Sequence, residues 1–153
     1  MIILRPAVLE DAALIFPWRN HPQVRQFFFT PEPLNFEDHC AWFERSLLLQ
    51  DRVMLIAIFS GEAIGFLRFD RKDQAAEIDI YLDPSRHGQG LGSSVLSAGL
   101  SWAKAYLLGL NLLTAKVVAA NKTSQRIFEK NGFQLSHRAP SYLEYSLNLE
   151  TSA

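Results

Sequence analysis

A chain of 153 residues with 48% hydrophobic side chains, among them eleven Phe, three Trp and four Tyr, can bury a core without disulfides or a structural metal. Fifteen Lys plus Arg against sixteen Asp plus Glu give a formal net charge of -1, which excludes a general attraction to nucleic acid or to an anionic membrane. The single cysteine, Cys40, excludes an internal disulfide and suits a reducing compartment.

The opening MIILRPAVLEDAALIF lacks a basic flank and a long apolar stretch, and no run reaches the ~18 apolar residues of a membrane span. A single domain over residues 1–153 in the cytoplasm is expected, without membrane or nucleic-acid partners. IILRPA reads as a first strand. Residues 9–19 have an apolar helical face, which Pro17 and Pro22 are expected to break, and HPQVRQFFFTPEPL follows as a loop. Asn35 with Asp38 marks a helix start, and Phe36, Cys40, Phe43 and Leu47 form its apolar stripe. RVMLIAIF, EAIGFLRFD and AEIDIYL are strands joined by hairpins at Ser60-Gly61 and RKDQ. From Leu91 a helix runs to Gly109, with Leu91, Val95, Trp102 and Tyr106 near one face. NLLTAKVV is a buried strand, and NKTSQRIFEKNGF a short helix capped by Asn121 and ended by Gly132. In SYLEYSLNL, Leu143, Tyr145, Leu147 and Leu149 alternate with Tyr142, Glu144, Ser146 and Asn148. That last strand is expected at an edge, free to pair between chains, so both a monomer and a homodimer stay open. The order β-α-α-β-β-β-α-β-α-β-β describes an α/β (α+β) mixed sheet with helices on its faces.

LDPSRHGQGLGSS is the most informative stretch. Gly88, Gly90 and Gly92 sit where the longest helix opens, although each glycine destabilises a helix by roughly 0.5–1 kcal/mol. Bare backbone at a helix N-terminus suits an anion, because the first N–H groups have no internal partner and carry about half a positive charge. A dinucleotide fingerprint fails at Ser93, and no Gly-Lys-Ser/Thr of a P-loop follows.

HGQGLG resembles the acyl-coenzyme A pyrophosphate loop of the GNAT superfamily of N-acetyltransferases, Gln/Arg-x-x-Gly-x-Gly/Ala, with His87 where Gln or Arg is usual and Arg86 one residue earlier. LRPAVLEDA, EIDIYLDP and NKTSQRIFEKNGF are similar to the family's first strand and helix, fourth strand and fourth helix. The resemblance implies a mostly antiparallel sheet of six to seven strands flanked by about four helices, and acetyl-CoA as co-substrate with no metal. It also implies that the backbone of Ile80, Tyr81 and Leu82 binds the pantetheine arm where the fourth and fifth strands splay. The loop His87, Gly88, Gln89, Gly90, Leu91, Gly92 and Ser93 would hold the pyrophosphate. Asn121, Ser124 and Phe128 would border the arm, with a plain helix cap the other reading of Asn121.

The usual fourth-helix tyrosine acid is Phe128 here, and the glutamate that some relatives carry on the fifth strand is Lys116. Glu77, Asp79 and Tyr81 share one strand face and become the catalytic candidates; a solvated face is the alternative for the two carboxylates. Without a strong base, the site suits an α- or sugar amine, which costs about 1.4 kcal/mol to neutralise at pH 7, over a lysine side chain at roughly 4–5. WRNHPQVR with GFLRFDR is similar to GNAT enzymes that acetylate nucleotide-linked amino sugars of the pseudaminic acid type. Trp18, Arg19, Arg25 and Phe28 are then the acceptor-binding candidates, with packing and surface charge the plainer reading. His21 reads as a turn residue, and His39 and His87 stand singly, without metal-ligand spacing. Acetylation of a small-molecule amine by direct attack on the thioester is the reading adopted. A protein N-terminal or antibiotic acetyltransferase and a non-catalytic acyl-CoA-binding module are the alternatives.

Overall fold

In a computed structural model, residues 1–149 are described. The chain runs β1 (Ile2–Pro6), α1 (Asp11–Arg19), α2 (Pro22–Arg25), α3 (Phe36–Leu47), β2 (Arg52–Phe59), β3 (Glu62–Lys72) and β4 (Ala75–Leu82). A 3-10 turn, Pro84–Arg86, leads to α4 (Leu91–Tyr106), β5 (Leu112–Val118), α5 (Lys122–Lys130), β6 (Gln134–Arg138) and β7 (Tyr142–Asn148). The expected domain reaches residue 153, and residues 150–153 lie outside the described ones.

The strands form a seven-stranded sheet in the order β1-β2-β3-β4-β5-β7-β6, antiparallel except for the parallel pair β4 and β5. Two hairpins build its first half. The turn between β2 and β3 places Ser60 and Gly61 at φ 51° and 80°, the positive values a tight hairpin needs. On one face α4 and α5 cover Leu67, Phe69, Ile78 and Leu113, and on the other α1 and α3 cover Ile56 and Phe66 with Ile15, Trp18 and Phe43. Alternate residues of β4 therefore serve different cores. Ile78 and Leu82 pack towards α4, and Tyr81 packs against the α1–α3 cluster.

Four expectations change. α1 continues through Pro17 to Arg19, because the carbonyl that the proline leaves without a donor belongs to exposed Ala13, where water serves it. Pro22, expected as a breaker, begins the short α2, where a missing N–H costs nothing. The buried face of α3 is His39, Phe43 and Ser46, turned away from the expected stripe, so that Phe36 and Leu47 are exposed. Finally, β7 lies inside the sheet between β5 and β6, and the edge is β6, whose residues are all exposed.

The long helix lies close to the sheet because its buried face carries small residues: Gly92, Gly99 and Ala103. A Cβ on Gly99 would stand 2.7 Å from Leu67 Cδ2. Trp102 adds a stacked contact on Phe69, with centroids 5.8 Å apart.

Candidate active site

The sheet opens at its centre. β4 and β5 pair only at Ala75–Leu112, Ala76–Leu113 and Glu77–Thr114, after which Ile78–Leu82 and Ala115–Val118 diverge. On its other side β4 stays paired with β3 as far as Leu82. Backbone groups of Ile80 to Leu82 that face β5 therefore lack a partner strand, and an extended ligand arm can supply one. Gly65 permits this geometry, since a Cβ there would stand 2.8 Å from Leu82 Cδ2 and 3.2 Å from the Tyr81 carbonyl oxygen.

Immediately after β4 the chain builds a glycine cradle at the mouth of α4. Asp83 Oδ1 accepts from Ser85 N at 3.0 Å, which fixes the 3-10 turn. Gly88 and Gly90 then take φ +77° and +75°, conformations that L side chains rarely adopt. Gly90 is the N-cap of α4 and has no side chain to cap it, so the first N–H groups of the helix point outward unclaimed. Gly92 has a different reason. Its Cβ would meet Ile127 Cδ1 at 2.8 Å, so it lets α5 approach α4. Asn131 Nδ2 donates to Ser93 Oγ at 3.1 Å and ties the two helices at that point. Two of the three glycines thus serve backbone conformation and one serves packing.

A cleft of about 1090 Å³ joins the cradle, the splay and the surface under α2 and α3. Its wall includes Ile80, Tyr81, Leu82, His87, Gly88, Gly90, Leu91, Gly92, Ser93, Asn121, Ser124 and Phe128 from the expected cofactor set, and Glu77, Asp79, Arg19 and Phe28 from the expected acceptor and catalytic sets. Asn121 also caps α5, with Oδ1 accepting from Ser124 N at 3.1 Å. Phe128 is buried between Phe133 and Tyr145 and presents only carbon to the cleft.

Three expected site residues lie outside the wall. Trp18 is 7% exposed in the α1–α3 core, because it falls on the helix face shared by Asp11, Ala12 and Ile15. Arg25 is turned to the Asn20 carbonyl, to which Nη1 donates at 2.7 Å. Gln89 donates weakly to Ser85 O at 3.4 Å on the exposed side of the loop. Arg86 does line the cleft, but its guanidinium is paired with Glu62, so it is committed elsewhere and does not replace the missing Gln or Arg.

At the acceptor end, charge is nearly balanced by loose pairs. Arg68 Nη2 lies 3.7 Å from Asp79, directly across the β3–β4 ladder, and Lys116 lies 3.7 Å from Glu77. Arg68 Nε is 3.1 Å from Asp70 but not aligned for a hydrogen bond, and it is buried. Arg19 has no carboxylate within 4.0 Å among the described residues, and its buried Nη1 has no partner. Its guanidinium carbon sits 3.4 Å from the Phe28 ring centroid, and Phe28 meets Tyr81 edge-on at 5.7 Å. Burial lowers the Arg19 pKa, an effect that Tyr81 and Asp79 oppose. Burial, helped by the Asp79 charge, pushes the Tyr81 phenol far above its ordinary value, which keeps it a hydrogen-bond donor. His87 is lowered by burial against the pull of Asp83.

Three further residues lie in the cleft wall: Trp42, which the sequence did not single out, Arg68, which it offered only within GFLRFDR, and His39, which it offered only as a lone histidine without metal-ligand spacing. His39 was hidden by the apolar stripe assigned to its helix. Arg68 had a usable signal: it falls opposite Asp79 once the second hairpin is registered.

An open sheet centre lies beside an uncapped helix N-terminus, an arrangement with room and free donors for an extended, anionic ligand arm. Residues 1–134 match the acetyltransferase (GNAT) domain family. The acetyltransferase PseH of Campylobacter jejuni (strain NCTC 11168) is 28% identical over 128 residues, covering 82% of this chain and 78% of PseH. A crystallised domain from Methanocaldococcus jannaschii superposes with a TM-score of 0.84 at 25% identity, over 97% of this chain and 99% of that one. The aminoglycoside acetyltransferase AAC(6')-Ib, solved with ribostamycin and coenzyme A, shares the fold with a TM-score of 0.86 at 18% identity, over 97% and 93%. The chain belongs to the GNAT acetyltransferase family. It is an acetyl-CoA-dependent N-acetyltransferase, with the mixed, mostly antiparallel sheet of that family.

Proposed function

We propose that the protein acetylates the primary amine of a small molecule that also carries an anionic group, a nucleotide-linked amino sugar being the leading class. One observation carries this reading: a cleft that begins at unclaimed α4 amides ends at an arginine, Arg19, with no carboxylate within 4.0 Å among the described residues and an aromatic ring beneath it. The amides and the open edge of β4 hold the coenzyme, with the thioester directed along the splay towards Asp79 and Tyr81. Arg19 and the ring of Phe28 offer a charge and a flat surface, a combination that suits a phosphate or carboxylate beside a sugar or base. The resemblance of WRNHPQVR and GFLRFDR to enzymes of the pseudaminic acid type, together with the similarity to PseH, supports the amino-sugar class.

Direct attack on the thioester fits the wall chemistry, because the cleft offers no cysteine nucleophile for a covalent relay. Asp79, held near Arg68, orients the amine, and the Tyr81 phenol remains protonated to donate to oxygen or sulfur. The coenzyme thiolate, with an ordinary thiol pKa near ~8.5, is protonated at low cost near neutral pH even without the tyrosine that Phe128 replaces.

The test is thiol release from acetyl-CoA with a panel comprising a UDP-linked 4-amino sugar, glucosamine, methionine sulfone, kanamycin, an N-terminal peptide and Nα-blocked lysine. Turnover of an anionic small amine at least tenfold above the lysine derivative is expected. A preference for the lysine side chain, or for the peptide, overturns the reading.

A further inference from the structure

His39 lines the cleft wall and is only 5% exposed. It projects from α3 and is wedged among aromatic rings. Phe16 of α1 lies 5.3 Å away between centroids, and Trp42 stacks at 6.2 Å with an interplanar angle of 28°. Nε2 lies 2.9 Å from the Ala12 carbonyl oxygen. A carbonyl can only accept, so Nε2 must carry the hydrogen, and in the neutral ring the lone pair is on Nδ1. Nδ1 has no hydrogen-bond partner among the described residues, yet it is not sealed from solvent, and the ring forms part of the cleft wall.

A structural histidine needs only the bond to Ala12. Here one nitrogen anchors the ring and the other keeps a free lone pair, on a ring that forms part of the cleft wall. Reaction with an amine needs such a site, because an α- or sugar amine is mostly an ammonium ion at neutral pH and an ammonium has no lone pair with which to attack.

We propose that His39, acting through Nδ1, takes the proton from the acceptor's ammonium group before the amine attacks the thioester. This rests on the reading of the protein as a small-amine acetyltransferase. The proton moves from R–NH3+ to Nδ1, giving an imidazolium that keeps its bond to Ala12. The free amine adds to the acetyl carbon, the C–S bond breaks as the N–C bond becomes an amide, and the second N–H proton passes to the departing thiolate. His39 then releases its proton to water, so one proton is set free per acetyl group transferred.

Besides His39, the charged and titratable groups of this cleft wall are Arg19 from α1, Asp38 from α3, Arg68 from β3, Glu77, Asp79 and Tyr81 from β4, Arg86 and His87 ahead of α4, Lys116 from β5, and Arg126 and Lys130 from α5. Burial lowers the His39 pKa, the Ala12 carbonyl opposes that shift and Arg19 adds to it, so the ring is neutral and ready to accept at pH 7. A base this weak cannot serve a lysine-like amine well. It matches the less basic amines proposed above.

His39→Gln tests the idea, since the amide nitrogen of Gln can still donate to Ala12 while the Nδ1 lone pair is gone. With the UDP-linked 4-amino sugar as acceptor, kcat/KM at pH 6.5 should fall about 100-fold or more, with the KM for acetyl-CoA and the melting temperature unchanged. The deficit should shrink about tenfold per pH unit up to the pKa of the amine, because a substrate already neutral needs no base. A deficit that stays constant with pH reports a structural role and overturns the proposal. A wild-type protein that turns over no member of the amine panel contradicts the proposed function instead. Independently of any acceptor, 15N NMR of the imidazole should show the neutral Nε2–H form at pH 7. An imidazolium, or the Nδ1–H form, overturns it too.

Discussion

Asp11 is a residue whose role depends on competing local forces. Burial alone would push its carboxyl upward, yet Arg5 donates through both Nη atoms at 2.7 and 2.8 Å and Val8 N donates at 2.8 Å, and together these hold the pKa below the ordinary carboxylate value. The group therefore stabilises the fold above its unfolded pKa near ~4, and that contribution is lost as pH falls through the lower, folded value. Asp11→Asn should cost about 2 kcal/mol in urea denaturation at pH 7, as expected for hydrogen bonds to a charged group. The gap from the wild type should close below about pH 4. An unchanged gap at pH 3 would mean that shape, not charge, explains the loss. Single-residue roles were the least legible part of the sequence. Asp11 is held by Arg5 and Val8, close in the chain but brought round only when β1 turns into α1, and the His39 tautomer is fixed by Ala12, 27 residues away on a neighbouring helix. Trp18 shows the opposite error, since an aromatic beside arginines looks like a ligand platform until the helix turns it into the core.

Elements were much more legible, because hydrophobic periodicity and punctuation report directly on burial. The two hairpins and the Asn121 cap of α5 were readable from turn and capping chemistry alone. The failures have physical causes. Pro17 stays inside α1 because tertiary burial of Ile15 and Trp18 outweighs one lost hydrogen bond. The face of α3 rotates because His39 and Ser46 have partners waiting, Ala12 O for the ring and Arg52 Nη1 at 2.9 Å for the hydroxyl. The stripe of small residues on α4 makes a sharper prediction. Gly99→Val would drive Cβ into Leu67 Cδ2 and lift the helix from the sheet. A loss of about 1–3 kcal/mol is expected in denaturant unfolding, together with weaker acetyl-CoA binding as the cradle shifts. Normal stability with this substitution would show that α4 does not lie where described.

For the molecule as a whole, the sheet consists of two halves that share a short parallel seam. β1–β4 form one continuous antiparallel unit, β5, β7 and β6 form another, and three residue pairs join them. That topology leaves the site at the seam, with the α4 N-terminus on one side and the α1–α3 cluster on the other. The glycine corner and the fourth strand announced this arrangement in the sequence, although Gly92 is there for the packing of α5 on α4. The acceptor end did not announce itself. It is assembled from α1, the loop after α2, α3, β3 and β4, which meet only in the folded chain.

Amide NMR during an acetyl-CoA titration tests the central claim most directly. Unclaimed N–H groups at the mouth of α4 and the open edge of β4 should hold the coenzyme, so the largest shifts should fall on Gly88 to Ser93 and on Ile80 to Leu82. Gly90→Val should weaken them at least tenfold in acetyl-CoA concentration. Saturable binding whose shifts leave both segments unmoved would contradict the account.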